Sequence, residues 1–138
     1  MSSDNNKPLD QARCDAAAVR FCTMYYKRMS DTRQNLTPLY ADQAVLAWNG
    51  HRHSGKQEIG QFYAQLPNCI AQPYSVSAQL LDGDIFPPNS LLATCHGQVK
   101  FLRCEDRRHK LFSQAFVLSR QSDGTFVILS DTFRTSEP

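Results

Sequence analysis

The chain has 138 residues, and its 15 lysine and arginine residues against 13 aspartate and glutamate residues give a formal net charge of +2. This length suits one domain, and a charge so close to neutral lacks the basic excess that phosphate binding requires, so we expect no direct contact with nucleic acid. No apolar run approaches the roughly 18 residues of a membrane-spanning helix, and no apolar segment follows a basic N-terminus, so we expect neither membrane insertion nor secretion.

The first part of the chain predicts a flexible tail followed by a long helix. Residues 1–8 are polar, which is typical of a mobile terminus, and we expect residues 9–138 to form a single domain. Between residues 9 and 29 apolar side chains recur on one helical stripe, which predicts the first helix. The residues on this stripe are Ala17, Ala18, Phe21, Cys22, Tyr25 and Met29.

A short second helix is predicted after the first one. Asp31 is placed to cap it, and it would end near Tyr40. Pro38 does not exclude such a helix, because proline is tolerated in a first turn. Leu36 and Leu39 would then face the core together with the final tyrosine.

Residues 44–67, with the sequence AVLAWNGHRHSGKQEIGQFYAQLP, predict a hairpin followed by another helix. A short half-buried strand ends at Trp48, and Asn49 and Gly50 tolerate the positive φ of a tight hairpin turn. The return strand spans residues 51–54.

The helix after this hairpin is amphipathic. Gly55 lets the chain turn into the helix, and Pro67 ends it. Apolar side chains recur three and four positions apart, so the helix must pack on an apolar surface. These side chains are Ile59, Phe62, Tyr63 and Leu66.

The rest of the chain predicts four strands, the last two of which are separated by a turn at Asp123 and Gly124. Because the helical patterns precede most of the strand patterns, we expect an α+β domain. N-terminal helices would pack on one face of a curved and mostly antiparallel sheet. The predicted strands cover residues 74–82, 91–101, 111–121 and 125–134.

Several of these segments resemble the nuclear-transport-factor-like family. Its members carry tryptophan, an acid or Asn, and Gly, then a further Gly and a helix that ends in Leu-Pro, as residues 44–67 do. The resemblance covers residues 9–134 and implies a cone-shaped fold with a strongly curved sheet. Further matches are Tyr25-Tyr26 with Met29, GQVK at residues 97–100, Phe112-x-Gln114-x-Phe116, and SDTFR at residues 130–134.

Within the family, the WNG form and the SD-x-FR ending most resemble the small mRNA export cofactors that heterodimerise with a TAP-type export receptor. This resemblance implies a noncatalytic adaptor that supports the binding of nucleoporin Phe-Gly repeats by the complex. We therefore expect the protein to shuttle between nucleus and cytoplasm through nuclear pores.

Alternation along the strands separates an inner face of the sheet from an outer one. The outer face is small and mixed polar, which also fits an ordinary solvated sheet. In the family this face is a dimer interface, and the resemblance implies that the matching positions bind the partner. They are Thr94, His96, Ser113, Ala115, Val117, Thr132 and Arg134.

Arg134 is the strongest candidate for partner recognition, because a guanidinium group in a partly dried interface can bind a carboxylate with two hydrogen bonds. The alternative is a solvated surface arginine near the end of the chain. Asp131 and Phe133 alternate with Thr132 and Arg134, but a bulge would exchange the two pairs between the faces.

The inside of the cone decides whether an enzyme is expected, since the fold is shared with steroid isomerases and dehydratases. Tyr25, Tyr40, Asp42 and Asp131 are candidate catalytic groups, but their spacing forms no paired constellation. We expect aromatic and apolar side chains to fill the cone, and therefore no enzyme. The expected cone-lining residues are Trp48, Phe62, Leu66, Phe116 and Phe133.

Histidine and cysteine residues do not predict a metal site or any other cofactor. His51 and His53 share a strand face, but Cys95 and His96 point to opposite faces, and no CxxC pair is present. The five cysteines are scattered and odd in number, which indicates reduced thiols. The basic run at residues 107–110 fits a solvated hairpin loop, with a localisation signal or RNA contact as the alternatives.

The import factor of the same family binds Ran-GDP through acids beside the mouth of the cone, and this chain departs from that pattern. Asn49 replaces the acid after the tryptophan, and basic residues surround Glu105 and Asp106 in the loop at residues 104–110. Loss of negative charge weakens attraction to a basic surface. A homodimeric Ran import factor therefore remains the alternative, followed by a small-molecule enzyme.

Overall fold

The structure, a computed structural model, describes residues 7–102 and 108–136. The tail predicted for residues 1–8 thus lies outside the described residues except for Lys7 and Pro8. The helices and strands are α1 (Gln11–Asp31), β1 (Tyr40–Trp48), β2 (His51–Ser54), α2 (Lys56–Gln65), β3 (Cys69–Leu80), β4 (Ser90–Phe101), β5 (Lys110–Arg120) and β6 (Phe126–Ser136).

Helix α1 lies within two residues of its predicted bounds. Asp10 fixes its start, because its carboxylate accepts a hydrogen bond of 2.8 Å from the backbone N–H of Arg13. The predicted stripe faces the core, and Cys14 and Tyr26 extend it. The helix thus contributes one continuous apolar face to the interior.

The predicted second helix is wrong. Two single 3₁₀ turns, Arg33–Asn35 and Thr37–Leu39, occupy this segment, and Asp31 is the last residue of α1 rather than a cap. The segment between α1 and β1 is too short for a stable α-helix, and Pro38 restricts where one could start. Leu36 is nevertheless buried, as its spacing predicted.

The hairpin and α2 are confirmed. Asn49 and Gly50 have φ values of 49° and 84°, and β2 has its predicted bounds, whereas β1 begins earlier, at Tyr40. Gly55, at φ 88°, precedes α2. Leu66 leaves the helix with extended geometry because the following proline disfavours a helical conformation there.

The sheet has the order β2-β1-β6-β5-β4-β3. Within the described strands β1 and β6 are parallel, and the other neighbours are antiparallel, as expected. The structure thereby confirms the α+β class.

Strand β3 begins at Cys69, five residues before the predicted start. Pro73 lies inside it and pairs with Gly97, next to a register shift between Pro73 and Ser75. A proline without an N–H is tolerated at this point because β3 is an edge strand. Its presence explains why the sequence pattern placed the start of the strand too late.

The core lies between α1, α2 and the inner face of the sheet. Inner positions of β4 from Leu91 to Val99 are fully or almost fully buried and alternate with more exposed ones, which confirms the predicted faces of that strand, and Phe101 at its end is partly buried. Inner side chains of β5 and β6 join them, including Phe116 and Phe133. None of the helices among the described residues is long and apolar enough to span a membrane.

Candidate partner-binding site

Strands β4, β5 and β6 bring the predicted partner-binding residues together on the outer face of the sheet. His96, Ser113, Thr132 and Arg134 are exposed, and the remaining three are partly exposed. Six of these residues lie in two rows that cross strands β4, β5 and β6, and Val117 lies beside the rows. The rows are Thr94–Ala115–Thr132 and His96–Ser113–Arg134.

The orientation of β6, which the sequence left open, follows from the burial of alternate residues. Asp131 and Phe133 are 1% and 3% exposed, so they face inward. Thr132 and Arg134 are exposed on the opposite side. The last strand therefore presents Arg134 to solvent at the outer face.

Among the described residues, the outer face of strands β3 to β6 carries positive charge and no acid. Arg134, His96 and Lys100 point outward, and the described outward positions of β3 to β6 include no aspartate or glutamate. Arg134 forms no ion pair with a described carboxylate. Its guanidinium group is thus available to an external carboxylate.

Asn49 holds the end of β6 in place, a role that the sequence reasoning missed. Its side-chain oxygen accepts a hydrogen bond of 2.8 Å from the backbone N–H of Thr135, and its own N–H donates to the carbonyl oxygen of Phe133 at 2.9 Å. The hairpin turn therefore forms hydrogen bonds to the backbone of both neighbours of Arg134.

The five predicted cone-lining residues do not form one group. Trp48 stacks on Phe133 with ring centroids 3.8 Å apart, and Phe62 lies 5.2 Å from Trp48. Phe116 packs elsewhere, against the ring of Tyr25 at 4.8 Å. Leu66, at the end of α2, is only partly buried.

A polar cluster lies in the core behind β6 and brings together three of the four candidate catalytic groups, whose spacing in the sequence forms no paired constellation. Asp131 accepts hydrogen bonds from the hydroxyl of Tyr40 at 2.6 Å, from Nε2 of Gln114 at 2.8 Å and from the hydroxyl of Tyr25 at 3.4 Å. We call Asp131 and its hydrogen-bonded neighbours the tyrosine–aspartate cluster. Its members are Tyr25, Tyr26, Tyr40, Tyr63, Gln114 and Asp131.

The cluster escaped the sequence analysis because its members are far apart in the chain. Tyr25 and Asp131 are 106 residues apart, and they meet only because α1 crosses the inner face of the sheet. Asp42, the fourth candidate, is exposed and takes no part. The one sequence signal for the cluster was the alternation along the last strand, which allows Asp131 to face inward. A bulge would have exchanged the two faces, so this signal was ambiguous.

Burial sets the protonation of the cluster. Loss of solvent raises the pKa of Asp131 to about 6, against the lowering effect of its hydrogen bonds to Tyr40 and Gln114. Burial also raises the pKa of Tyr25 and Tyr40 well above the ordinary value, so both remain protonated donors. The cluster members therefore satisfy one another, and Asp131 is too enclosed to touch a substrate without an opening of the core.

Side chains that bind metals do not converge in the described parts of the chain. No group of three or more His, Cys, Asp or Glu residues is placed to hold an ion within residues 7–102 and 108–136. Cys95 is buried while His96 is exposed on the other face. Cys104, Glu105, Asp106 and Arg107, the first residue of the basic run, lie outside the described residues.

Comparison with known proteins gives consistent matches. Residues 17–135 match the nuclear transport factor 2 (NTF2) domain. NTF2-related export protein 2 of Homo sapiens is 34% identical over 137 residues, which cover 96% of this chain and 93% of that protein.

Two solved structures share the fold. Nuclear transport factor 2 (Ntf2) from Cryptosporidium parvum has a TM-score of 0.80 at 24% identity and covers 94% of this chain and 100% of its own. A chain of the C. albicans Mtr2–Mex67 M domain complex has a TM-score of 0.66 at 16% identity, with coverages of 91% and 94%. The expected cone-like fold is thereby confirmed, and the chain belongs to the nuclear transport factor 2 (NTF2) domain family.

Proposed function

We propose that this protein is a noncatalytic adaptor in the nuclear export of mRNA, with residues 9–138 as its single domain. It forms a heterodimer through its outer sheet face with the NTF2-like domain of a TAP-type export receptor. The observation that carries this proposal is the pair of exposed rows that ends at Arg134, on a face without described acids. A receptor carboxylate opposite Arg134 would make the contact specific.

The names of similar proteins support this proposal. The human relative is named an NTF2-related export protein, and one solved structure of the same fold comes from a complex between Mtr2 and the Mex67 M domain. Both point to transport and pairing rather than to turnover. We therefore infer that the protein acts in nucleus and cytoplasm and crosses nuclear pores with its receptor.

The adaptor would act through binding linkage. A partner that binds only the folded receptor domain raises its stability and the fraction that is competent to bind. The heterodimer would thus support the binding of nucleoporin Phe-Gly repeats, while this chain itself contacts neither mRNA nor a membrane.

Ran-GDP import by a homodimer is the second candidate, since one solved structure of this fold is a nuclear transport factor 2. The side chain of Asn49 argues against it. This amide stands where the import factor has an acid, and its oxygen is engaged by Thr135. A small-molecule enzyme is less well supported, because the polar groups inside the core are bonded to one another.

Binding of Phe-Gly repeat peptides by the receptor domain tests the function. We expect the domain to bind more peptide and to resist urea better with this protein than alone. Arg134→Glu should abolish both effects. If the receptor domain alone bound the peptides and resisted urea as well as the mixture does, the adaptor role would be wrong.

A further inference from the structure

Three large apolar side chains are exposed at one end of the outer face, outside the residues chosen from the sequence. Ile70, Tyr74 and Leu111 are 56%, 58% and 59% exposed. Ile70 is paired with Lys100 and Leu111 with Gln98, which places both on the outer side. We call these three residues the apolar corner.

Polar contacts hold the apolar corner in place. The hydroxyl of Tyr74 donates to the side-chain oxygen of Gln98, and the amide nitrogen of Gln98 contacts Nδ1 of His109. Tyr74 lies at the register shift of β3, where an extra residue redirects the strand. The hydrogen bond thus ties the Tyr74 side chain to Gln98, an outward residue of β4.

A groove of about 380 Å³ separates the corner from Arg134. Its lining includes Tyr74 and Leu111 of the corner together with His96 and Arg134. Its lining also includes Gly97, at a point where the sheet has no room for a side chain. A Cβ atom there would collide with the carbonyl oxygen of Gln72 and lie 2.8 Å from the ring of Phe112.

The groove adjoins the proposed interface directly. Ser113 belongs to its lining and also to the row His96–Ser113–Arg134. A partner that covers this row therefore lies over the groove as well. Large apolar side chains in the centre of an interface contribute most when they enter a pocket that is closed to water.

We propose that the groove receives an aromatic or long aliphatic side chain of the partner that docks on the outer face, next to the partner carboxylate that meets Arg134. This inference rests on the proposed function and adds the chemistry of the partner segment. None of the described residues that line the groove is acidic, so the guanidinium group of Arg134 favours a carboxylate beside the inserted side chain.

A second copy of this chain fits the groove less well. A two-fold dimer would place the same surface on both sides, so that Arg134 would face a surface of the same positive charge. Like charges that face each other across an interface that excludes water repel. The complementary partner is thus a different chain with an acid and an exposed apolar side chain close together.

The test measures the dissociation constant of the receptor's NTF2-like domain for the full-length protein. The double variant Tyr74→Thr with Leu111→Thr removes most of the apolar corner while keeping residues that suit a strand. Ile85→Thr is the matched control, because Ile85 is 76% exposed in the connection between β3 and β4. Thermal unfolding of each variant checks that the fold is retained.

We expect the double variant to raise the dissociation constant at least about tenfold, as loss of a central apolar anchor does, and the control to leave it unchanged. This loss should persist when salt is raised, whereas the loss caused by Arg134→Glu should depend on salt.

Wild-type affinity in the folded double variant would overturn the groove proposal and leave the adaptor function intact, provided that Arg134→Glu still abolishes binding. Absence of binding by the wild-type protein would overturn both. If the double variant changed only self-association, seen as a change of mass in light scattering, the occupant would be a second copy and the proposal would be wrong.

Discussion

Arg134 and Asp131 lie three residues apart on β6 and face opposite sides of the sheet. Arg134 is open to a partner, whereas Asp131 is enclosed by donors that come from α1, β1 and β5. The same strand thus links the proposed interface to the buried cluster. The effects of substitutions at the two residues can be separated, because a change at Arg134 should affect binding and a change at Asp131 should affect stability.

Asn49→Ala should weaken both stability and receptor binding. It removes the acceptor for the N–H of Thr135, and it places alanine at a φ of 49°. Together these changes should lower the free energy of unfolding by about 1 to 3 kcal/mol, measured by urea unfolding. Asn49→Asp is the control, since it keeps an oxygen acceptor and tolerates positive φ. Equal losses in both variants would contradict the positioning role.

Asp131 should make stability depend on pH. Its pKa is raised from 3.8 to about 6 in the folded state, so the folded protein binds this proton more tightly than the unfolded chain does. The stabilising effect is complete below pH 3.8 and is lost as the pH rises through about 6, a change of roughly 3 kcal/mol.

Urea unfolding between pH 4 and pH 7 tests whether stability falls as the pH rises. The variants are Asp131→Asn and the exposed control Asp84→Asn. The decrease in stability with rising pH should be smaller in Asp131→Asn than in the wild type and unchanged in Asp84→Asn. A slope that survives in Asp131→Asn would assign the pH dependence to other groups.

At the scale of elements, the sequence predicted segments whose signal lies within the segment itself. The helical stripe of α1, the turn at Asn49 and Gly50, and the spacing in α2 are local patterns, and the structure confirms them. The second helix and the start of β3 were wrong because short segments around Pro38 and Pro73 depend on neighbours that are distant in sequence.

The sequence predicted more of the candidate site on the outer face of the sheet than on the inner face. Strand alternation sufficed to place five of the seven predicted residues on one face, whereas Thr132 and Arg134 were assigned to it by the family resemblance. The role of all seven in binding stays a prediction. The tyrosine–aspartate cluster and the bond from Thr135 to Asn49 join distant segments, so no local pattern encodes them. The apolar corner depends on a register shift at Tyr74, which the sequence does not reveal.

Gly97→Ala should disturb the pairing of β3 with β4. The added Cβ would meet the backbone of Gln72 and the ring of Phe112, so the strands must shift, at about 1 to 3 kcal/mol of stability. Gly83→Ala is the control, because a Cβ there meets nothing within 4 Å. Thermal unfolding that gave the two variants equal midpoints would show that the sheet accommodates the methyl group.

At the scale of the whole molecule, the two faces of the sheet have opposite properties. The inner face is covered by α1 and α2, and its polar groups are bonded to one another in the tyrosine–aspartate cluster. The outer face combines basic residues, small side chains and an apolar corner without described acids on β3 to β6. Such a division suits a protein whose work is done by surface association rather than by chemistry in a pocket.

The most direct test of this account is the mass, by light scattering, of the protein mixed with the NTF2-like domain of an export receptor. Wild type is compared with Arg134→Glu and with Arg20→Glu, the same charge change on the exposed side of α1. We predict a one-to-one complex for wild type and for Arg20→Glu, and separate components for Arg134→Glu. A wild-type homodimer that ignores the receptor domain, or a complex that survives Arg134→Glu, would contradict the account.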